Sequence, residues 1–181
     1  MNARPAITPD QRIPRYTSYP TAPHFTPEIG HETYAKWLGV LPSQESLSLY
    51  LHIPFCAELC LYCGCHTTVS RRYAPIGAYI ELIKREIALV SQYLGRGRPV
   101  AHIHWGGGTP TVLSPQHLSE IMEVVRDSFQ VQDDAEIAIE IDPRTLSFAH
   151  VETMAAMGIN RASLGVQDFD DTVQRAINRV Q

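Results

Sequence analysis

Leu47-Ser48-Leu49-Tyr50-Leu51-His52-Ile53-Pro54-Phe55-Cys56-Ala57-Glu58-Leu59-Cys60-Leu61-Tyr62-Cys63-Gly64-Cys65 reads as a strand running straight into a metal loop. Leu47, Leu49, Leu51 and Ile53 alternate with Tyr50 and His52, the period of a β-strand whose two faces differ. Behind it stand Cys56, Cys60 and Cys63 in Cys-x3-Cys-x2-Cys spacing. Soft thiolates select iron-sulfur clusters, zinc or Cu(I), and a closed 4Fe-4S site takes a fourth cysteine, usually from elsewhere in the chain. All four cysteines of this chain lie in the one loop, and Cys65 is too close to Cys63 to reach the far iron of the same cube. The pattern therefore predicts three ligands, Cys56, Cys60 and Cys63, and one open iron.

Other occupants of the loop have specific requirements. Structural zinc draws on cysteine pairs that converge from separated segments; a second pair is missing, although His66 could complete a Cys3His site. Disulfides call for an oxidising compartment. The opening Met1-Asn2-Ala3-Arg4-Pro5 is not followed by an apolar signal segment, so a reducing cytoplasm is the expectation.

From Leu47 onward strand-like and helix-like stretches alternate, the mark of βα units on a parallel sheet. Strands are expected at Leu47 to Ile53, Ala101 to Trp105, Glu136 to Ile141 and Arg161 to Val166. The first helix, Gly77 to Leu94, carries Ile80, Ile83, Ile87, Val90 and Leu94 on one stripe. The second begins at Ser114-Pro115, a cap followed by a first-turn proline, and buries Leu118, Ile121, Met122, Val125 and Phe129. The third runs from Phe148 to Met157 and stops at Gly158. A fourth starts near Asp168 and is expected to be still running at Gln181, so the chain reads as an N-terminal fragment.

Residues 1–45 are rich in proline and aperiodic, an expected arm with a helical candidate only from Pro27 to Leu38; residues 46–181 make the βα domain. Each chemical motif falls just past the C-terminal end of a strand: the cysteine loop, Gly106-Gly107-Gly108, Asp142-Pro143-Arg144 and Gln167-Asp168. Ligands of parallel α/β folds bind at that end, so these loops should meet at one site. Strand parity sets Tyr50, His52, His102, His104, Glu136, Glu140, Ser163, Gly165 and Gln167 opposite the aliphatic face. A parallel sheet is ordinarily apolar on both faces, so a polar inner face argues for a lined cavity. The histidines are not expected to bind metal; His24, His31, His117 and His150 read as surface residues and Cys65 as a small buried hydrophobe.

With 181 residues, 44% of them hydrophobic, and a net charge of -4, the chain can bury one core but offers no basic face for nucleic acid. Arg71-Arg72 reads as solvated surface. A membrane span is not expected.

The cysteine loop resembles that of the radical S-adenosylmethionine (SAM) enzymes. Seven stretches narrow the likeness to their oxygen-independent coproporphyrinogen III oxidase family. They are Pro14 to Pro20, His52 to Cys56, Cys63-Gly64-Cys65, His104 to Thr111, Glu140 to Arg144, Gly165 to Asp168, and Asn178-Arg179-Val180-Gln181. The resemblance implies a parallel βα partial barrel, of which about four units are present. It implies a 4Fe-4S cluster on Cys56, Cys60 and Cys63 that cleaves SAM to a 5'-deoxyadenosyl radical.

The same resemblance implies two SAM molecules. Tyr50, Tyr62, Gly107 and Glu140 would contact the cluster-bound one; Gly108, Thr109, Gln167 and Arg179 would contact the second. Tyr62 departs from the phenylalanine often found there, and either ring can stack. The implied reaction is oxidative decarboxylation of two propionates of coproporphyrinogen III to vinyl groups, giving protoporphyrinogen IX in haem biosynthesis. A monomer served by an unidentified reducing electron donor is implied, with Arg15 to Tyr19 as an arm over the substrate. Three other readings stay open: a haem chaperone without decarboxylase activity, a simple electron carrier and a zinc module.

Overall fold

The computed structural model describes residues 21–181. The motif Pro14 to Pro20, with its arm Arg15 to Tyr19, lies outside the described residues. Compact packing divides the chain after Tyr34. In the described part of the first unit a 3-10 turn spans Ala22–His24. Helix α1, His31–Gly39, starts four residues later than expected from Pro27, its first turn closed by Tyr34 N–H donating to the Gly30 carbonyl.

The second unit, from Ala35, is built on a parallel sheet. Its elements in order are β1 (Leu47–Ile53), β2 (Phe55–Cys56), β3 (Thr68–Val69), α2 (Ala74–Leu94), β4 (Pro99–Gly107), α3 (Pro115–Ser128), β5 (Gln130–Ile141), α4 (Phe148–Ala156), β6 (Arg161–Leu164) and α5 (Asp171–Ala176). The main sheet has the order β1-β4-β5-β6 with every neighbour parallel. Sequential order across the sheet is what successive βα units produce.

The expected division of faces is observed in the first three main strands. Leu51, Ile53, Ile103, Trp105, Ile137 and Ile139 are buried. They meet Ile76, Ile80, Ile83 and Ile87 of α2 and Leu118, Ile121, Met122 and Val125 of α3 in one core. Each such side chain contributes about 1.5–3 kcal/mol on burial. Arg98 ties residues 41–45 to this body. Its guanidinium donates to the carbonyls of Leu41, Leu94 and Glu45 at 3.3, 3.3 and 3.4 Å and also to that of Pro42. A buried cation needs such partners.

Several boundaries differ from expectation. The second and third main strands are longer, starting at Pro99 and Gln130, because the sheet recruits residues that lack an apolar run of their own. α2 begins at Ala74, with Pro75 in its first turn. β6 stops at Leu164 instead of Val166 and is exposed throughout. It is the edge strand, and its aliphatic side, Leu164 included, is not packed under a helix. The short β2-β3 ladder was not expected at all. α5 ends at Ala176, not beyond Gln181: Asn178 turns into the left-handed region with φ 54°, and the last residues leave the helix axis.

Two histidines read as surface residues hold the fold together. His150 donates from Nε2 to the Leu113 carbonyl at 2.9 Å and completes a capping box with Ser147. His117 stacks on Tyr73, whose hydroxyl lies 2.7 Å from its Nδ1. Ser114 caps α3 as its sequence predicts, accepting from His117 N–H at 3.3 Å. Gly158 with φ 77° follows α4.

Candidate cluster and nucleotide site

The C-terminal ends of the four main strands line one edge: Ile53 pairs with Gly107, and Ile141 with Leu164. Backbone bonds lace the following loops together there. Gly108 N–H donates to the Ile53 carbonyl at 2.8 Å and Thr109 N–H to that of Phe55 at 2.9 Å. Thr68 and Ser70 bond the carbonyls of Pro54 and Cys56 at 2.7 and 2.9 Å, which is how β2 and β3 hold the first cysteine in place.

Glycine is required at two points of this lacing. Gly107 has φ 116°, and a Cβ there would lie 2.8 Å from the Ile53 carbonyl oxygen. A Cβ on Gly108 would lie 2.5 Å from Thr67 Oγ1, 2.6 Å from the Phe55 carbonyl oxygen and 2.9 Å from Cys56 Sγ.

A cavity of about 210 Å³ opens at this edge. Cys56, Cys60 and Cys63 line it, as expected, and so does Cys65. All four thiols are free, and Cys65 is exposed, not buried as expected of a small hydrophobe. Of the residues expected to bind SAM, Tyr62, Gly107, Gly108, Thr109, Glu140, Gln167 and Arg179 also line the cavity. Tyr50 is absent from that lining. Its ring stacks on His104, centroids 5.7 Å apart, and its hydroxyl lies 3.2 Å from His52 Nδ1. His52 Nε2 donates to the His66 carbonyl at 3.1 Å, so its Nδ1 is left to accept from Tyr50. His104 donates from Nε2 to Glu140 at 3.2 Å. Tyr50 thus supports the residue that holds Glu140, and burial followed by the Glu140 charge pushes its phenol up.

The donor set fits an iron-sulfur cube. Among the described residues no three histidine, cysteine, aspartate or glutamate side chains converge on a single-ion site. Cys56, Cys60 and Cys63 instead line one cavity. Three of the four sulfurs also have a polar neighbour: Thr67 and Thr109 hydroxyls lie 3.3 Å from Cys56 Sγ, Arg179 and Arg144 reach Cys60 Sγ at 3.5 and 3.8 Å, and Cys65 N–H donates to Cys63 Sγ at 3.5 Å. The side-chain bond to Cys63, then burial, raises the Cys65 thiol.

Sequence reasoning missed the charges behind Cys60. Asp142 is 7% exposed. It accepts from Arg144 Nη2 at 2.7 Å and pairs with Arg179 Nη1 at 3.2 Å. Burial pushes the Asp142 carboxyl up, but the Arg144 side chain and amide and the Arg179 charge outweigh it and hold it below its usual value. The same pair raises Arg144 further above its already high value. Arg179, expected in a helix still running at Gln181, lies beyond α5 and is 7% exposed. The Asp-x-Arg spacing at a strand end was visible in the sequence; its partner Arg179 was not. Burial, opposed by Arg179, raises the Tyr62 phenol.

The Radical SAM superfamily model matches residues 50–181, and the chain belongs to that superfamily. Membership implies a 4Fe-4S cluster and SAM as cofactors. Among its relatives, the oxygen-independent coproporphyrinogen III oxidase of Bradyrhizobium diazoefficiens is 58% identical over 172 residues, 95% of this chain and 38% of that protein. The protein of the same description from Escherichia coli K12 is 44% identical over 168 residues, 93% of this chain and 36% of its own length. A solved structure, described as coproporphyrinogen III oxidase from Escherichia coli and a radical SAM enzyme, superimposes with a TM-score of 0.85 at 42% identity, covering 92% of this chain and 38% of the other. The radical SAM partial-barrel fold is thereby established; the chain spans 38% of the length of that structure.

Proposed function

We propose that the chain is the cluster-bearing part of an oxygen-independent coproporphyrinogen III oxidase, converting coproporphyrinogen III to protoporphyrinogen IX by decarboxylating two propionates. The observation that carries this reading is the meeting of Cys56, Cys60 and Cys63 with Gly107, Gly108, Thr109, Glu140, Gln167 and Arg179 around one cavity, in a chain 58% identical to a relative of that description. Cys56, Cys60 and Cys63 would hold the cluster, leaving one iron without a protein ligand. Bound together, the cluster and SAM supply a carbon-centred radical able to take a hydrogen atom from a propionate side chain.

The residues of the chain bind and orient. Gly107 and Gly108 present their backbone at the cavity wall. Glu140, held by His104, accepts from a ribose hydroxyl or an ammonium. Tyr62, 47% exposed, offers a ring for stacking. A second SAM would lie against Gly108, Thr109, Gln167 and Arg179. Four free thiols favour a reducing cytoplasm, where a monomer would take electrons from an external one-electron donor; among the described residues no helix is long and apolar enough to cross a membrane.

The test is anaerobic reconstitution of the full-length protein to which this part belongs, followed by assay for 5'-deoxyadenosine and protoporphyrinogen, with Cys63→Ala as control. Both products from wild type and neither from the variant support the proposal. Deoxyadenosine without protoporphyrinogen contradicts the substrate assignment, and tight haem binding in its place would favour a chaperone.

A further inference from the structure

Cys60 differs from the other two cluster cysteines in what stands behind its sulfur. It is 8% exposed, and two guanidinium groups reach its Sγ, Arg179 at 3.5 Å and Arg144 at 3.8 Å. Arg179 has a second claim on it, donating to the Gly165 carbonyl at 2.6 Å. Arg144 is braced by a single residue, Asp142. Its Nε donates to both Asp142 oxygens at 3.0 and 3.2 Å, its Nη2 to Oδ2 at 2.7 Å, and its backbone N–H to Oδ1 at 3.1 Å. A planar fork held at three points has one orientation, and in it the remaining Nη2 hydrogen is available to the sulfur. We propose that Arg144, braced by Asp142, is a positioning residue for the Cys60 thiolate that fixes this corner of the cluster and helps set its reduction potential.

The physical reason is charge. A reduced cluster carries one more negative charge than an oxidised one, and hydrogen bonds to ligating sulfur are among the factors that set its potential. A cationic N–H aimed at one sulfur stabilises the reduced form and makes the cluster easier to reduce. Cys56 receives only neutral hydroxyls and Cys63 only an amide. The effect therefore concentrates on the Cys60 iron.

The proposal rests on the cluster assignment above, and its test separates the two. The full chain and its Arg144→Gln, Arg144→Lys and Asp142→Asn variants are reconstituted anaerobically. Each is followed by iron content, thermal melting and an EPR-monitored redox titration. Arg144→Gln should shift the reduction equilibrium roughly tenfold toward the oxidised cluster, about 59 mV lower for a one-electron couple. Arg144→Lys, which keeps the charge without the fork, should recover part of the loss, whereas Asp142→Asn, which frees the fork but also removes a negative charge, should lower bound iron without lowering the potential.

A loaded Arg144→Gln protein that titrates at the wild-type potential overturns the proposal. Loss of the melting transition together with the cluster in both Arg144 variants also overturns it, since that outcome assigns the pair to the fold. A variant that keeps its melting transition but loads less iron supports the positioning half. A wild type that takes up no tetranuclear cluster removes the assignment itself, and this proposal with it.

Discussion

The two ends of the cysteine loop are held in opposite ways. Around Cys60 the loop is pinned from the far end of the chain: Leu61 N–H donates to the Ile177 carbonyl at 3.0 Å, Asn178 Nδ2 to that of Leu59 at 2.8 Å, and Arg179 Nη1 reaches the Cys60 sulfur at 3.5 Å. Around Cys63 and Cys65 the contacts are local, a Cys63 N–H to the Cys60 carbonyl at 3.1 Å and the Cys65 amide on the Cys63 sulfur, and Cys65 is exposed. One end is fixed by tertiary structure. The other takes its shape from a local turn.

The comparison breaks most sharply if either end loses its ligand. Cys60→Ala and Cys63→Ala should each cut bound iron by roughly tenfold or more in anaerobically reconstituted protein. Only Cys60→Ala should also change the apo melting curve, because only that sulfur sits in a formed charge network. Next in size, Gly108→Ala must push apart Thr67, the Phe55 carbonyl and Cys56, an overpacking of about 1–3 kcal/mol. Chemical denaturation should show that loss before metal is added.

Asn178→Ala tests the pinned end by itself. It removes the bond to Leu59 and puts alanine in a left-handed conformation, which together cost about 1–2 kcal/mol. Faster cluster loss to a chelator should accompany it, with Cys56 and its hydroxyl donors unchanged.

The smallest effect comes from Asp170, which caps α5 and so presents the pinning segment. Bonds from the backbone amides of Val173 and Thr172 hold its carboxyl below the usual value. A lowered folded value means that its stabilisation is complete above the ordinary carboxylate pKa of about 4 and is lost as pH falls through the folded value. Asp170→Ala should therefore flatten the acid side of the stability-pH profile and leave the neutral side nearly parallel to wild type.

Much of this was legible in the chain. Period-two alternation in Leu47 to Ile53 and the helical stripe from Ile80 to Leu94 gave the layers, and the position of each motif after a strand brought the cysteines, the glycines, Glu140 and Gln167 to one cavity. What stayed hidden depended on contacts without local pattern. Arg179 meets Cys60 and Asp142 only because Asn178 leaves the helix, a backbone turn that helical spacing does not foretell. The Phe55–Cys56 and Thr68–Val69 ladder is too short to show a period. Tyr50 lies on the polar face as parity predicts, yet it packs on His104, beside the cavity rather than in its wall. The aliphatic side of β6 reads as core but lies at an edge.

The central claim is a cube ligated by Cys56, Cys60 and Cys63 with one iron left for SAM. EPR of the reduced, anaerobically reconstituted protein, recorded with and without SAM, tests it directly. The account predicts a 4Fe-4S signal that changes shape when SAM is added and vanishes in Cys63→Ala. A signal indifferent to SAM, or the absence of any tetranuclear signal from wild type, would contradict it.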